Sequence, residues 1–515
     1  MSYRQTKFQS NVHNELLSVL SCSEYIDNTT PLKYSPFGKN SIVLTFKKRM
    51  LICSVKVMQL IVGKTLYYED DRALLYQLPP ETRALFSWLI ANNLLATWSL
   101  GRPQLGISLV KTLYLFPEPI KTPTGKSFAA MGANGIGSGD TYAEAALSAL
   151  GEFIERNASS AYWWENSKIY KSKFKKHSRQ VNPEHFNLIN VDHISKDTDA
   201  IVSHTEKELS WVSAIDIKTQ NTVDVPASLV YMYFRNEYAE EPFLQEVSSN
   251  GAATYSTYHE ACTRAMLELI ERHVFMKMWY HKTPCNKINV KSLEIIFPQL
   301  KELTLSLTDD EQLDIYEIPN SLNVPTFFAT LTSNDISKTA LHLTAASDVD
   351  VHSALKKVIK EVVRFAEGTL VFNKESVAPF DITSAVELQA FANTLTKRGE
   401  LWSYQEMLPH LSWLKESTEI QYSEITSSQQ PINFSERERY QWVKAQCVAN
   451  EVRVYISDVT NSVARYAKLH VVRAISPDLI PIFFNEQYKP FNQGVFTCSD
   501  KGEKVVLNQI PHPFL

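Results

Sequence analysis

The chain is poor in glycine and cysteine and has no excess of either charge, and each shortage removes a class of protein. Fifteen glycines in 515 residues exclude collagen-like and low-complexity chains. The six cysteines, Cys22, Cys53, Cys262, Cys285, Cys447 and Cys498, include no Cys-x-x-Cys pair. A tetracysteine zinc site therefore has no support, and so sparse a set does not make a disulfide scaffold. Lys+Arg minus Asp+Glu is 52 − 56 = −4, which gives no electrostatic case for nucleic acid or an anionic membrane. The most apolar early stretch, Met50 to Val62, carries Lys56 and is too short to span a bilayer. Met1 to Val12 lacks the apolar centre of a signal peptide. The expectation is a reduced, soluble, cytoplasmic protein.

What is present is a globular composition, 44% hydrophobic and 21% charged, enough for two to four domains at about 150 residues each. Residues 1–100 read as a separate small α/β region of winged-helix-like pattern. Ser41 to Phe46 and Met50 to Val57 have strand character, and Ala84, Leu85, Trp88, Leu89 and Leu95 recur at helical spacing after Pro79-Pro80. From residue 101 to 515, helices and strands interleave without a βαβ rhythm, so the fold class is α+β. Strands are expected at Leu229 to Phe234, Thr326 to Leu331 and Arg453 to Ile456. Helices are expected at Thr141 to Trp164, Tyr258 to Tyr280 and Val351 to Glu367, and a polar loop at Glu416 to Arg439.

The chain also matches itself. A shift of 250 − 134 = 116 lays residues 134–164 over 250–280 without a gap, with twelve identities in 31 positions. Only two copies exist, so duplication inside one domain is the reading rather than a solenoid. Each copy reads as a loop followed by a helix. The first loop, Gly132 to Gly139, is rich in glycine, a weak phosphate signal by itself. The acids are more telling. Glu144, Glu152 and Glu155 stand at i, i+8 and i+11, which at about 100° per residue places them on one helix face. Glu260, Glu268 and Glu271 repeat the spacing. Thr141 and Thr257 begin Thr-x-x-Glu capping boxes, so Glu144 and Glu260 have a purely structural alternative. Glu155-Arg156 and Glu271-Arg272 have another, as solvated ion pairs. Identical spacing in two copies favours an acid cluster that a cation neutralises, with Mg²⁺ as the natural occupant.

These residues resemble the YcaO family. The resemblance rests on Ser148 to Arg156, on Ser248 to Ala253 with Glu260-Ala261, and on Glu268 to Arg272. Val225-Pro226-Ala227, Ala354-Leu355 with Glu361, Asp458-Val459-Thr460, and Val471-Val472-Arg473 with Pro477 and Pro481 add to it. It implies a YcaO-type domain over residues 101–515 and an enzyme that uses ATP and Mg²⁺ to activate a peptide amide by phosphorylation. Carried over by position, Glu152, Glu155, Glu260, Glu268 and Glu271 would hold Mg²⁺. Arg272, Arg156, Asn250, Lys357 and Glu361 would meet ATP or its phosphates. The resemblance points to the azoline-forming cyclodehydratases of ribosomal-peptide biosynthesis. These turn Cys, Ser or Thr of a precursor peptide into thiazoline or oxazoline, as in bacteriocin and antibiotic pathways.

The Pro511-His512-Pro513-Phe514-Leu515 segment is similar to the proline-rich terminus of that subclass. It makes Pro511 and Pro513 the stiffeners of a tail and the Leu515 carboxylate a base for ring closure. The implied partners are the precursor peptide, a leader-binding subunit like a ubiquitin-activating enzyme, and a flavin dehydrogenase acting afterwards; residues 1–100 would dock or cover. Thioamide or amidine formation and a non-catalytic YcaO-like scaffold are the alternatives. Ser138, Tyr255, Ser256 and Lys357 depart from the family pattern. At Lys357 an Arg is expected, and Lys keeps the charge but loses the two-pronged fork.

Overall fold

The computed structural model describes residues 33–34, 41–46, 49–54, 78–92, 94–100, 111–117, 120–121, 127–128, 135–139, 141–165, 169–186, 207–232, 234, 241–246, 248–366, 384–425, 434–489 and 506–514. They fall into two compact units, one of residues 1–121, 127–153 and 367–371, the other of residues 122–126, 154–366 and 372–515. Among the described residues no helix is long and apolar enough to cross a membrane.

In the first unit, β1 (Lys33–Tyr34), β2 (Ser41–Phe46) and β3 (Arg49–Ser54) form an antiparallel sheet in that order. Helix α1 (Pro80–Ala91) starts with Pro at its first position, where no N–H is needed, and buries Phe86 and Leu89. Leu95, expected to continue the helical pattern, instead opens β4 (Leu95–Leu100), which pairs with β5 (Lys111–Pro117). Strand β6 (Gly135–Gly139) follows in register on β5, so the glycine-rich stretch expected as a loop ends in a strand. The glycines have a packing reason. A Cβ on Gly137 would lie 2.0 Å from the Ala145 carbonyl oxygen, so only glycine lets the next helix approach the strand this closely. That helix, α2 (Tyr142–Glu165), runs through the boundary between the units after Phe153.

The second unit has two sheets. One is ordered β9 (Thr222–Pro226), β8 (Glu208–Asp216), β16 (Tyr455–Asp458), β17 (His470–Ile475), β10 (Ala252–Tyr255), with β7 (Tyr170–Lys173) also on β8. The other is ordered β14 (Leu341–Ser347), β13 (Thr326–Ser333), β12 (Glu311–Glu317), β11 (Asn286–Ile288), β15 (Thr418–Ile420). The described residues of the Leu229 to Phe234 stretch are not a strand. The strand ends at Pro226, which has no N–H to carry the ladder on, and a fully buried single turn, α3 (Ala227–Val230), follows it.

Helix α4 (Tyr258–His281) is the centre of this unit. It packs on β17 and β10 of the first sheet and on β14 of the second. Ala261, Met266, Ile270, Phe275 and Trp279 are buried on it, and only its polar side chains, Arg264, Glu268, Glu271 and Arg272 among them, stay partly exposed. Helix α5 (Val351–Ala366) covers β14 and β13. Helix α6 (Glu436–Ala449) packs on α4. It occupies the end of the polar stretch expected as a loop, and a Ser435–Glu438 capping box starts it. The two 24-residue helices α2 and α4 begin and end 116 residues apart, so the duplicated sequence is duplicated structure within an α+β fold.

Candidate active site

The acids of α4 are fixed from the helix outward. Thr257 caps its start, with the Glu260 N–H donating to Thr257 Oγ1 at 3.4 Å. The Glu260 side chain does not return to close the capping box. It is buried between two guanidinium groups, Arg264 Nε and Arg439 Nε, each at 3.1 Å. Two turns on, Glu268 Oε2 accepts the Gly251 N–H at 3.0 Å. Gly251 has φ +76°, and a Cβ there would lie 2.4 Å from the Ala474 carbonyl oxygen, so the amide reaches the carboxylate only because residue 251 is glycine. Arg272 then spans Glu271 Oε1 at 2.7 Å and Glu268 Oε1 at 3.3 Å.

The other oxygen of Glu271 accepts the Ser347 N–H at 3.0 Å, at the end of β14. Burial pushes the Glu271 carboxyl up to about 7; Arg272 and Lys357 oppose this, while Glu361 and Glu268 add to it. Glu361, on α5, is bonded to the Thr344 hydroxyl. Glu268, Glu271 and Glu361 therefore feel one another's charge.

A second cluster adjoins. Lys357 Nζ and Arg439 Nη2 share Asp348, each at 2.7 Å. Burial raises the Asp348 carboxyl, but these two cations hold it below its ordinary value. Glu260, Arg264, Asp348, Lys356, Lys357 and Arg439 line an open cavity of about 390 Å³, within the range that takes a small-molecule ligand. Asn250 does not present its amide to these groups, since Nδ2 donates to the Ile482 carbonyl at 3.3 Å.

The first copy repeats part of this geometry. Thr141 Oγ1 accepts the Glu144 N–H at 3.3 Å, and Glu152 Oε2 accepts the Ile136 N–H at 2.7 Å, as Glu268 does from Gly251. Glu155 and Arg156 fall in the second unit, 3.9 Å apart at their closest ion-pair atoms. Glu155 and Glu268 both act electrostatically on Arg473 of β17.

The Val506–Phe514 segment is built into the same helix. Three successive carbonyls meet side-chain donors: Ile510 O takes Trp279 Nε1 at 2.9 Å, Pro511 O takes Trp402 Nε1 at 3.1 Å, and His512 O takes Arg398 Nη1 at 3.1 Å. Pro511 and Pro513 are buried. The Phe514 ring sits 4.7 Å from the Phe275 ring and 4.3 Å from the Arg272 guanidinium. This arginine holds Glu268 and Glu271, so the segment and the acids meet although far apart in sequence. Leu515 lies outside the described residues.

Among the described residues no three His, Cys, Asp or Glu side chains form a ready-made metal cage. Mg²⁺ is commonly held by one or two carboxylates with substrate phosphates completing the shell. Two observations fit such an ion and its phosphates. Burial and neighbouring carboxylates raise Glu271, a strain that a divalent cation relieves. Nitrogens of Arg272 and Arg473 are buried without a hydrogen-bond acceptor. Sequence reasoning did not find Asp348, Arg264 or Arg439. For Arg439 the signal was available in the Ser435–Glu438 capping box.

The family model of the YcaO cyclodehydratases, described as ATP- and Mg²⁺-binding, matches residues 136–480. The chain belongs to the YcaO family, whose members use ATP and Mg²⁺. No curated protein sequence matches it. Among solved structures, it is similar to a heterocyclase in complex with substrate and cofactor, at 15% identity and TM-score 0.64. That match covers 92% of this chain and 65% of that one, so the chain spans about two thirds of the heterocyclase's length. It is similar to YcaO from Methanopyrus kandleri bound with AMPPCP and Mg²⁺, at 14% identity and TM-score 0.52, covering 79% and 93%. It is also similar to the E. coli microcin synthetase McbBCD complex, at 13% identity and TM-score 0.51, covering 81% and 97%. At these identities the likeness is one of fold.

Proposed function

We propose that this chain is the catalytic subunit of an ATP-dependent peptide cyclodehydratase. It would convert Cys, Ser or Thr of a ribosomal precursor peptide into thiazoline or oxazoline. The observation that carries the reading is Arg272, which bridges Glu268 and Glu271 and stacks on Phe514. It brings the Pro-x-Pro segment, the feature that resembles the azoline-forming subclass, to the acid cluster. When bound, ATP with Mg²⁺ supplies the phosphoryl group that turns the amide oxygen into a leaving group.

The chain's own task is positioning and charge neutralisation. Glu155, Glu268 and Glu271, with Glu361 from α5, are the proposed Mg²⁺ ligands and their supports, and Glu152 is proposed for Mg²⁺ by its position in the first copy. Glu260 holds Arg264 and Arg439 at the cavity wall, and Lys357 keeps a cation beside Asp348 where a nucleotide would enter. Arg272 and Arg156 are the proposed phosphate contacts. Asn250 would act through the backbone it braces. Pro511 and Pro513 fix the segment's path, so that Phe514 is presented at little entropic cost.

McbBCD is a multisubunit complex, and the reading gives this chain a leader-binding partner, with residues 1–100 as the docking region. The test is incubation of precursor peptide, ATP and the partner subunit, followed by mass spectrometry. One water lost per ring, with phosphate released in step, supports the reading. Phosphate release without mass loss under every partner combination overturns it.

A further inference from the structure

Arg473 has no part in the positioning and charge roles proposed above, yet its setting calls for a ligand. It lies on β17, the strand between β16 and β10, directly opposite Ala252 in the register. It is 3% exposed, and its Nε and Nη1 are buried without a hydrogen-bond acceptor. A buried guanidinium with unused donors is rare, because each N–H lost its water on folding.

The neighbouring acids do not supply the missing acceptors. Glu155 and Glu268 stabilise the charge of Arg473 from a distance and Arg156 opposes it. Neither acid is hydrogen-bonded to it, and each oxygen of Glu268 already accepts from Arg272 or from the Gly251 N–H. Glu155 and Glu268 come from equivalent faces of the two copies. The donors of Arg473 therefore stand beside acids from both repeats, where an anion carried on a cation would lie. A phosphoryl group has the matching chemistry, since several oxygens meet the planar fork at once.

We infer that Arg473 is a nucleotide-binding residue that donates Nε and Nη1 to phosphoryl oxygens of Mg²⁺-bound ATP. The inference rests on the proposed ATP site, and its test needs no peptide chemistry. The full chain is titrated calorimetrically with the non-hydrolysable analogue AMPPCP in Mg²⁺, and separately with Mg²⁺ alone. Arg473→Met should weaken the Mg²⁺–analogue complex by about tenfold or more. Affinity for Mg²⁺ alone should hold or rise, because a positive charge has left the acids. Arg473→Lys, which keeps charge without the fork, should lose several-fold and serves as the deciding variant if the Met variant does not fold. Wild-type affinity for the analogue in the folded variant overturns the inference. So does a parallel loss of Mg²⁺ alone, which would make Arg473 a brace of the acids. If the wild-type chain itself binds no analogue, the ATP-site reading fails first and this one with it.

Discussion

Phe514→Ala tests whether the Pro-x-Pro segment and the acid cluster form one unit. The ring is 3% exposed and lies between Phe275 and Arg272. Truncating a buried Phe costs about 3–5 kcal/mol. Three side-chain hydrogen bonds to Ile510, Pro511 and His512 also hold the segment, each worth about 1 kcal/mol. More remains than these three, since the Asn508 N–H donates to the Tyr280 carbonyl, His512 Nε2 pairs with the Phe483 carbonyl and Gln389 donates to the Gln509 carbonyl, so the segment should stay docked but open more often, without global unfolding. Arg272 keeps its two carboxylates and loses only the stacked ring, about 1 kcal/mol, or about fivefold in nucleotide affinity. Ring formation should fall much further than nucleotide binding. Hydrogen exchange over Val506–Phe514, calorimetry with AMPPCP and mass spectrometry of the peptide read the three effects. Phe514→Leu, which retains apolar bulk, should restore docking but not the stacking contribution. If Phe514→Ala leaves both exchange protection and nucleotide affinity at wild-type values, Phe514 does not connect the two.

Glu271→Gln should fold and lose Mg²⁺-dependent nucleotide binding. Its folded carboxyl is raised to about 7, so ionisation weakens the fold as pH rises from the unfolded value of about 4.5 towards 7; the Gln variant should gain in relative melting temperature across that window. His512 is held well below its ordinary value, first by burial and then by Arg398. Its contribution is complete above about pH 6.5 and is lost as pH falls below it, so protection factors at Val506–Phe514, with the intrinsic pH dependence of exchange divided out, should fall in acid, and pH-independent protection factors would refute this. Arg439→Met leaves Asp348 with Lys357 alone and Glu260 with Arg264 alone and should lower the melting temperature modestly together with nucleotide affinity, read by melting and calorimetry; unchanged nucleotide affinity in the folded variant would remove Arg439 from the cavity's function. Arg272→Lys should lose far more nucleotide affinity than Arg156→Lys, and equal losses would contradict the asymmetry argued below.

The duplication was legible because helices carry their period in the sequence. Both 24-residue helices lie where the repeat places them, and the strand at Thr326 and the helix at Val351 follow their patterns. Gly135–Gly139 misled because glycine is read as loop by its backbone freedom, whereas here its lack of a side chain lets α2 approach. The Glu416 to Arg439 stretch looked like a connection because its polarity outweighed a four-residue cap signal, and Arg439 went unseen with it. Arg473 sits singly in an apolar strand, and nothing in that pattern says which acids it will face. The anchoring of Pro511 needed Trp402, more than a hundred residues away, and no local pattern carries such a contact.

The two copies share a sequence but not a setting, and that difference gives them unequal roles. Arg272 makes ion pairs of 2.7 and 3.3 Å and stacks on Phe514, whereas Arg156 approaches Glu155 only to 3.9 Å. Arg272 lies on a helix buried between two sheets, next to a ring supplied by a distant segment. Burial lowers the effective dielectric and strengthens each of its pairs, but it also makes the Glu271 carboxylate costly to ionise. Such a site is stable only if something brings positive charge to the acids. The arginines supply part of it and leave donors unused. Unused donors beside the buried Glu271 carboxylate are what the proposed metal-bound phosphate would satisfy. The half of the duplicated pattern around Arg272 is thereby the one tied to a distant segment through Phe514.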